Sequence, residues 1–179
     1  MITTKKDICE AAIQLFLQDG IEQVSINKIC SVLNVTRGSF YHHFESKNDL
    51  LLYWFSKHIV EMINYDISIV SPKQMLKQYV LEYARVVTAL GEDLMFHIFM
   101  AELEVKGAHF VLYRLDEAQY IELIEAAKNN GEIQAKEPAP ELIDMFSSAF
   151  IGAVILWRFS AGTLDLTKSV EQLFEKIYT

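Results

Sequence analysis

The chain of 179 residues is long enough for one ordinary domain, or for a small module attached to a larger one. Its apolar content of 51% supplies a hydrophobic core and excludes a disordered chain. The net charge of −8 argues against a nonspecific binder of nucleic acid. This charge lies outside residues 1–48, where five basic residues balance five acidic ones. A neutral N-terminal segment on an acidic body suits a protein that meets DNA with one end only.

Capping residues and apolar residues at helical spacing predict four helices in the first third of the chain. The boundary signals are, in chain order, Thr4 with Asp7 and then Gly20 for the first helix, Ser25 to Leu33 for the second, Thr36 for the third, and Ser46 with Asp49 for a long fourth helix that extends to about Ser68.

The two cysteines, Cys9 and Cys30, fall in apolar helical patterns and are expected to be buried thiols in a reducing cytoplasm.

The remaining segments also have helical spacing, and none alternates as a strand does. The predicted helices run from Ser71-Pro72 to Gly91, from Glu92 to about Lys106, from Gly107 to Asn129-Asn130-Gly131, over 141–161 after Pro138 and Pro140, and over 168–178. The longest apolar stretch, 146–159, is interrupted by Ser147, Ser148, Gly152 and Arg158, which favours a buried helix over a membrane span. The sequence therefore predicts an all-α fold of about nine helices, without a signal peptide and without membrane attachment.

Residues 25–44 contain three features that a tight turn between two nearly perpendicular helices requires. Cys30 is small enough to lie where the helices cross. Asn34, four residues later, tolerates the positive φ of a turn. Phe40, ten residues after Cys30, is the apolar side chain that fills the crossing. This spacing is typical of a helix-turn-helix and predicts a DNA-binding unit.

The second helix of this unit has a polar N-terminal end that suits the major groove of DNA. Thr36, Arg37 and Ser39 lie where free backbone N–H groups and the helix dipole favour phosphate. Gly38 adds no side chain, so the backbone can approach DNA closely. Arg37 can donate two hydrogen bonds to O6 and N7 of guanine; the alternative is a solvated surface charge.

Three further side chains extend the same surface. Tyr41 and His42 follow on the outward face of the helix, with a core position as the alternative for Tyr41. Lys47 lies in the first turn of the fourth helix, where a cation costs a few tenths of a kcal/mol, so a DNA phosphate in front of it would explain its presence. Adjacent His42 and His43 point about 100° apart on a helix and are not expected to hold a metal ion.

Residues 4–50 resemble the N-terminal domain of the tetracycline-repressor (TetR) family. The matching pieces are Ile8-Cys9-Glu10-Ala11-Ala12, Leu15-Phe16, Gly20, the segment 25–30, and above all the string from Val35 to Phe44 with Ser46-Lys47 and Leu50. Cys30 and Asn34 depart from the usual Ala and the commoner Gly. The resemblance implies a three-helix DNA-binding domain over residues 1–47 and a helical ligand-binding and dimerisation domain over residues 48–179.

The same resemblance implies roles for individual residues. Thr36, Arg37, Ser39 and His42 would face base edges or nearby phosphates. Tyr41, Lys47 and Ser25 would hold backbone phosphates.

The predicted eighth helix is apolar almost all round, so it must be covered on two sides. Ser148, Ala149 and Gly152 leave a strip of small side chains for another helix. With the amphipathic ninth helix, this predicts a homodimer through 141–161 and 168–178. The alternative is a buried core helix in a monomer.

Aromatic and methionine side chains between the fourth and eighth helices suit an adaptable ligand cavity. The candidates are Phe96, Phe99, Met100, Phe110, Tyr113, Tyr120 and Trp157. Each of them can also be plain core. Glu102 and Glu104 nearby could favour a cationic effector or could be solvated. The resemblance implies an effector pocket in this region, for a small apolar or cationic molecule.

Two functional classes fit these features. The first is a ligand-responsive repressor that binds a palindromic double-stranded DNA operator as a dimer. The second is a DNA-binding dimer that a protein partner controls without a small-molecule inducer. An enzyme is not expected, because the sequence has no nucleophile–base pairing, no metal-ligand spacing and no glycine-rich phosphate loop, and no cofactor is predicted.

Overall fold

The computed structural model describes residues 4–62, 70–105, 117–161 and 163–179. These residues form helices and no strand, which confirms the all-α prediction. The nine helices of the described residues are α1 (Lys5–Asp19), α2 (Ile26–Val32), α3 (Arg37–His43), α4 (Lys47–Met62), α5 (Pro72–Leu90), α6 (Glu92–Glu104), α7 (Glu117–Asn129), α8 (Ala139–Phe159) and α9 (Leu166–Ile177).

Capping residues identified in the sequence set the starts of the early helices. Thr4 and Asp7 form the predicted capping box of α1. The side chains of Ser25, Thr36 and Ser71 each accept a hydrogen bond from the backbone N–H three residues later. The predicted end of α4 near residue 68 and the predicted start of α7 lie outside the described residues.

The boundaries of α8 and α9 differ from the predicted ones. α8 begins at Ala139 rather than at Glu141, because Pro140 occupies its first turn. Backbone N–H groups in the first turn have no acceptor within the helix, so the missing N–H of proline costs no hydrogen bond there. α9 begins at Leu166 rather than at residue 168, because the side chain of Asp165 accepts a hydrogen bond from the N–H of Lys168 and caps the helix.

The chain divides into two compact units, and the first comprises the described residues of Met1–His58 and Asp93–Ala108. In this unit α1 packs against α2, and α2 packs against α3. Its buried residues include Ile8, Ala12, Phe16, Ile29, Phe40, Phe44, Leu50 and Phe55. The unit therefore contains the predicted helix-turn-helix, the first turns of α4, and α6 from Asp93 onward.

The second unit comprises the described residues of Ile59–Glu92 and His109–Thr179, in which α5 and α8 both pack against α9. The rings of Phe146, Phe174 and Tyr178 contact one another in its core. α8 is long and apolar enough to cross a membrane by length and composition. Nine of its residues are nevertheless buried, and it packs on α7 and α9, as a core helix does.

Candidate nucleic-acid interface

The turn between α2 and α3 is closed by two backbone hydrogen bonds. The N–H of Val35 donates to the carbonyl oxygen of Cys30 at 2.9 Å, and the N–H of Asn34 donates to that of Ser31 at 3.2 Å. These are the two bonds of a Schellman cap, whose central residue is left-handed. Asn34 is that residue, with a φ of 54°, which confirms the expectation of positive φ in the turn.

The crossing of α2 and α3 has the predicted small and large residues. Cys30 is buried and Phe40 is fully buried. The thiol of Cys30 also donates to the carbonyl oxygen of Thr36, with 3.6 Å between sulfur and oxygen. Burial raises the pKa of the Cys30 thiol, so the group stays protonated and acts as a donor. The turn and the crossing together fix the direction of α3.

The N-terminal end of α3 is capped by the hydroxyl group of Thr36, which also lies close to that of Ser39. The N–H of Ser39 donates to Oγ1 of Thr36 at 3.2 Å, and the two hydroxyl oxygens also lie 3.2 Å apart. Gly38 is exposed, and the nearest atom to a Cβ built there would be Thr36 Oγ1 at 3.6 Å, an ordinary contact. The fold itself therefore leaves room for a side chain at position 38.

Arg37 and Tyr41 contact each other on the surface of α3. Nη2 of Arg37 lies 3.3 Å from the hydroxyl oxygen of Tyr41, and the guanidinium carbon lies 5.7 Å from the ring centroid. Tyr41 is 45% exposed, so the alternative of a core position for it is wrong. His42 is exposed beside half-buried His43. Within the described residues no group of three His, Cys, Asp or Glu side chains could hold a metal ion.

Ser25 is exposed and caps α2, with its hydroxyl oxygen 3.2 Å from the backbone nitrogen of Lys28. The side chain of Lys28 is also exposed and forms an ion pair of 3.1 Å with Asp19. Lys28 is thus a further exposed cation on α2, three residues after Ser25, that was not predicted from the sequence. The sequence itself indicates this position, because Lys28 lies about one helical turn after Ser25, the N-cap of α2.

Lys47 is half-buried, and its ammonium donates to the backbone carbonyl oxygens of Ile21 and Val24, both at 3.0 Å. The presence of a cation in the first turn of α4 therefore has a structural reason that does not involve DNA. An ammonium has three donors, so one N–H is left for a phosphate. These contacts have no signature in the sequence, because backbone acceptors more than 20 residues away leave no spacing pattern.

The candidate effector-binding residues belong to different units of the chain. Phe96, Phe99 and Met100 lie on α6 in the first unit, where Phe96 and Met100 are exposed. Tyr120 and Trp157 lie in the second unit, where the ring of Tyr120 contacts Tyr79 edge-on and Trp157 is buried on α8. Phe110 and Tyr113 lie outside the described residues.

The two acidic side chains of α6 have different environments. Glu102 is 5% exposed, so it is not a solvated residue. Glu104 is exposed, and its carboxylate accepts a hydrogen bond of 2.8 Å from the side-chain amide of Asn48 on α4. Of the two carboxylates, Glu102 is therefore buried and Glu104 lies at the surface.

Comparisons with known proteins agree with this site. Residues 8–53 match the family model for "Bacterial regulatory proteins, tetR family". The chain is 24% identical over 195 residues to the probable acrEF/envCD operon repressor of Escherichia coli, covering 98% of this chain and 86% of that protein.

Two solved structures have the same fold along nearly the whole chain. FadR of Thermus thermophilus, a TetR-family repressor in complex with lauroyl-CoA, superposes with a TM-score of 0.74 at 17% identity, covering 97% of this chain and 93% of that one. BioQ in complex with its double-stranded DNA operator superposes with a TM-score of 0.69 at 16% identity, covering 99% of both chains. The matched segment, residues 8–53, contains the closed turn, the crossing and the exposed face of α3, and this part of the chain is a domain of the tetR family of bacterial regulatory proteins.

Proposed function

We propose that the protein is a cytoplasmic, ligand-responsive repressor that binds a palindromic operator as a homodimer. The observation that carries the proposal is the exposed surface of α3, where the side chains of Arg37 and His42 and the bare backbone of Gly38 are accessible on a helix that follows a closed turn. Repression is supported by the likeness to the E. coli operon repressor, and operator binding by the likeness to BioQ.

We expect the operator to be palindromic because α3, the helix proposed to contact the bases, is short. α3 has seven residues, so one copy contacts few base pairs. A two-fold pair doubles the site and places the half-sites about one helical turn apart, or a multiple of it. Because residues 1–48 carry no net charge, electrostatic attraction from a single head is weak, and two heads at fixed spacing supply the affinity.

The surface proposed for dimerisation is an apolar face formed by α8 and α9. α8 exposes Leu156 and Phe159, the latter to 83%. Between the two helices runs a groove of about 330 Å³, with Gly152 and Ala149 on one wall and Leu173 on the other. Contiguous apolar surface of this kind marks an interface in a soluble protein. The small residues would allow a partner helix to approach closely.

The proposed effector is a small molecule with a large apolar part. Exposed Phe96 and Met100 on α6 support it, since aromatic and methionine side chains adapt to irregular apolar ligands. The Thermus FadR, in complex with lauroyl-CoA, supports the same class. A cationic effector, held by buried Glu102, is the alternative from the sequence.

Selection of genomic fragments by the purified full-length protein, followed by footprinting, tests the DNA-binding part. We expect a palindromic site occupied by one dimer, and a loss of roughly 5-fold to 150-fold in affinity for Arg37→Ala, as removal of one bidentate base contact implies. Arg85→Ala, on exposed Arg85 of α5, is the matched control and should bind normally. Absence of sequence preference, or equal binding by Arg37→Ala, would refute the assignment.

Addition of acyl-CoA thioesters and of quaternary ammonium compounds to the protein–operator complex tests the effector. Release of DNA by the thioesters supports the apolar class, and release by the ammonium compounds supports the cationic alternative. If neither class releases DNA or raises the melting temperature of the protein, control by a protein partner replaces the ligand-responsive proposal.

A further inference from the structure

We propose that Tyr41 positions Arg37 for base reading, because its ring and hydroxyl oxygen hold the guanidinium group before DNA is bound. This inference rests on the proposed DNA-binding function and deepens it. It gives Tyr41 a role in specificity, in addition to the phosphate contact that the family resemblance implies for it.

The geometry of α3 brings the two side chains together. Arg37 and Tyr41 are four residues apart in one helix and therefore lie on the same face. The separation of 3.3 Å between Nη2 and the hydroxyl oxygen fits a hydrogen bond that the guanidinium donates. The distance of 5.7 Å from the guanidinium carbon to the ring centroid fits a cation–π contact. Two different contacts restrict a side chain that otherwise has many rotamers.

The ring of Tyr41 is itself held by the core of the unit. It meets the ring of Phe40 edge-on, with 5.6 Å between centroids. Phe40 is fully buried at the crossing of α2 and α3 and contacts Phe44, which is also buried. Arg37 is therefore linked through Tyr41 to the residue that fixes the direction of α3.

The hydroxyl group of Tyr41 has one further function available. A phenol accepts and donates at once. Its oxygen accepts from Arg37, and its own proton is left for an acceptor in front of the helix. A DNA phosphate offers acceptor atoms only, so it matches this free donor. One side chain can thus connect backbone anchoring, which sets register, with the arginine that reads a base.

A double-mutant comparison tests the proposal. Wild type, Tyr41→Phe, Arg37→Ala and the double variant are titrated against the selected operator and against duplexes with single base-pair changes. Tyr41→Phe keeps the ring and removes the hydroxyl. We expect this variant to bind all duplexes more weakly. We also expect its preference at the base pair read by Arg37 to fall by roughly threefold to tenfold, which is part of the discrimination that one bidentate arginine contributes.

The dependence on Arg37 is the decisive readout. In the Arg37→Ala background, Tyr41→Phe should no longer change the preference at that base pair, although the uniform loss should persist. Tyr53→Phe, on a half-buried tyrosine of α4, is the matched control and should leave the preference unchanged.

Two results would overturn the proposal. One is an unchanged base preference in Tyr41→Phe, and the other is the same change of preference with and without Arg37. If the wild-type protein itself shows no sequence preference, the proposed function fails, so the two failures are distinguished. Circular dichroism of each variant establishes that the helices are retained.

Discussion

The side-chain nitrogen of Lys47, in the first turn of α4, lies 3.0 Å from the backbone carbonyl oxygen of Val24. The same nitrogen donates to Ile21 at an equal distance. Both acceptors lie in the segment between α1 and α2, and Ser25, the N-cap of α2, follows directly. A displacement of the first turn of α4 therefore acts on the segment that leads into the helix-turn-helix.

Lys47→Met should reduce the free energy of unfolding by about 1–3 kcal/mol, because two carbonyl groups lose a charged donor and the apolar chain cannot replace it. Urea unfolding of the purified protein measures this loss. If the third N–H of Lys47 also contacts a phosphate, the dependence of log K on log salt concentration should become shallower by about one in the folded variant.

Lys57→Met is the matched control, because Lys57 is an exposed lysine of the same helix. It should unfold at the same urea concentration as wild type. If Lys47→Met and Lys57→Met have equal stabilities, the contacts with Ile21 and Val24 do not hold α4 in place.

Asn34 can be tested by a pair of substitutions that separate backbone strain from side-chain loss. Asn34→Ala places an alanine at a φ of 54°, and left-handed backbone costs a residue with a Cβ about 1–2 kcal/mol. We expect a lower melting temperature for Asn34→Ala and a wild-type or higher one for Asn34→Gly, measured by circular dichroism. Equal melting temperatures for the two variants would show that the turn does not require left-handed backbone.

Local signals in the sequence were enough to predict the helices and the turn between α2 and α3. Thr36 and Ser25 cap α3 and α2 because each hydroxyl oxygen accepts a hydrogen bond from the backbone N–H three residues later. Such a contact depends on neighbouring residues alone. The positive φ of Asn34 and the burial of Phe40 follow from the same short segment. This is why the predicted order of helices and the helix-turn-helix agree with the structure.

Contacts between distant segments were beyond what spacing can predict. The carboxylate of Glu104 accepts from Asn48, 56 residues away, and no pattern within α4 or α6 indicates it. The sequence marked Lys47 as a cation in an unfavourable place, but the backbone acceptors that satisfy it appear only in three dimensions. The candidate effector-binding residues Phe96 and Trp157 were likewise predicted from residue type, which does not determine which side of a helix a side chain occupies.

Gly38→Ala should fold as well as wild type and bind operator DNA less tightly. A Cβ at this position meets an ordinary contact of 3.6 Å with Thr36 Oγ1, and alanine in a helix is no less stable than glycine. The added methyl group would instead stand between the backbone of α3 and the DNA. Thermal unfolding and operator titration of the same preparation separate the two effects. Unchanged operator affinity would exclude a close approach of DNA at position 38.

Glu132 links two segments of the second unit and gives a prediction for pH dependence. Its carboxylate accepts from the hydroxyl of Ser71 at 2.5 Å and from the backbone N–H of Lys73 at 3.0 Å, at the N-terminus of α5. The hydrogen bond from Ser71, followed by that from Lys73, lowers the pKa of the Glu132 carboxyl below its ordinary value. A group with a lowered pKa in the folded state stabilises the fold when ionised.

This stabilisation is complete above the ordinary pKa of Glu132, about 4.5, and is lost as the pH falls through the lowered pKa of the folded state. Glu132→Gln keeps the acceptor oxygen and removes the charge. Its melting temperature should lie below that of wild type at neutral pH, and the difference should shrink as the pH falls from about 6 to about 3. Glu122→Gln, on an exposed glutamate of α7, should follow wild type throughout. A difference for Glu132→Gln that stays constant with pH would mean that the charge of this carboxylate does not stabilise the start of α5.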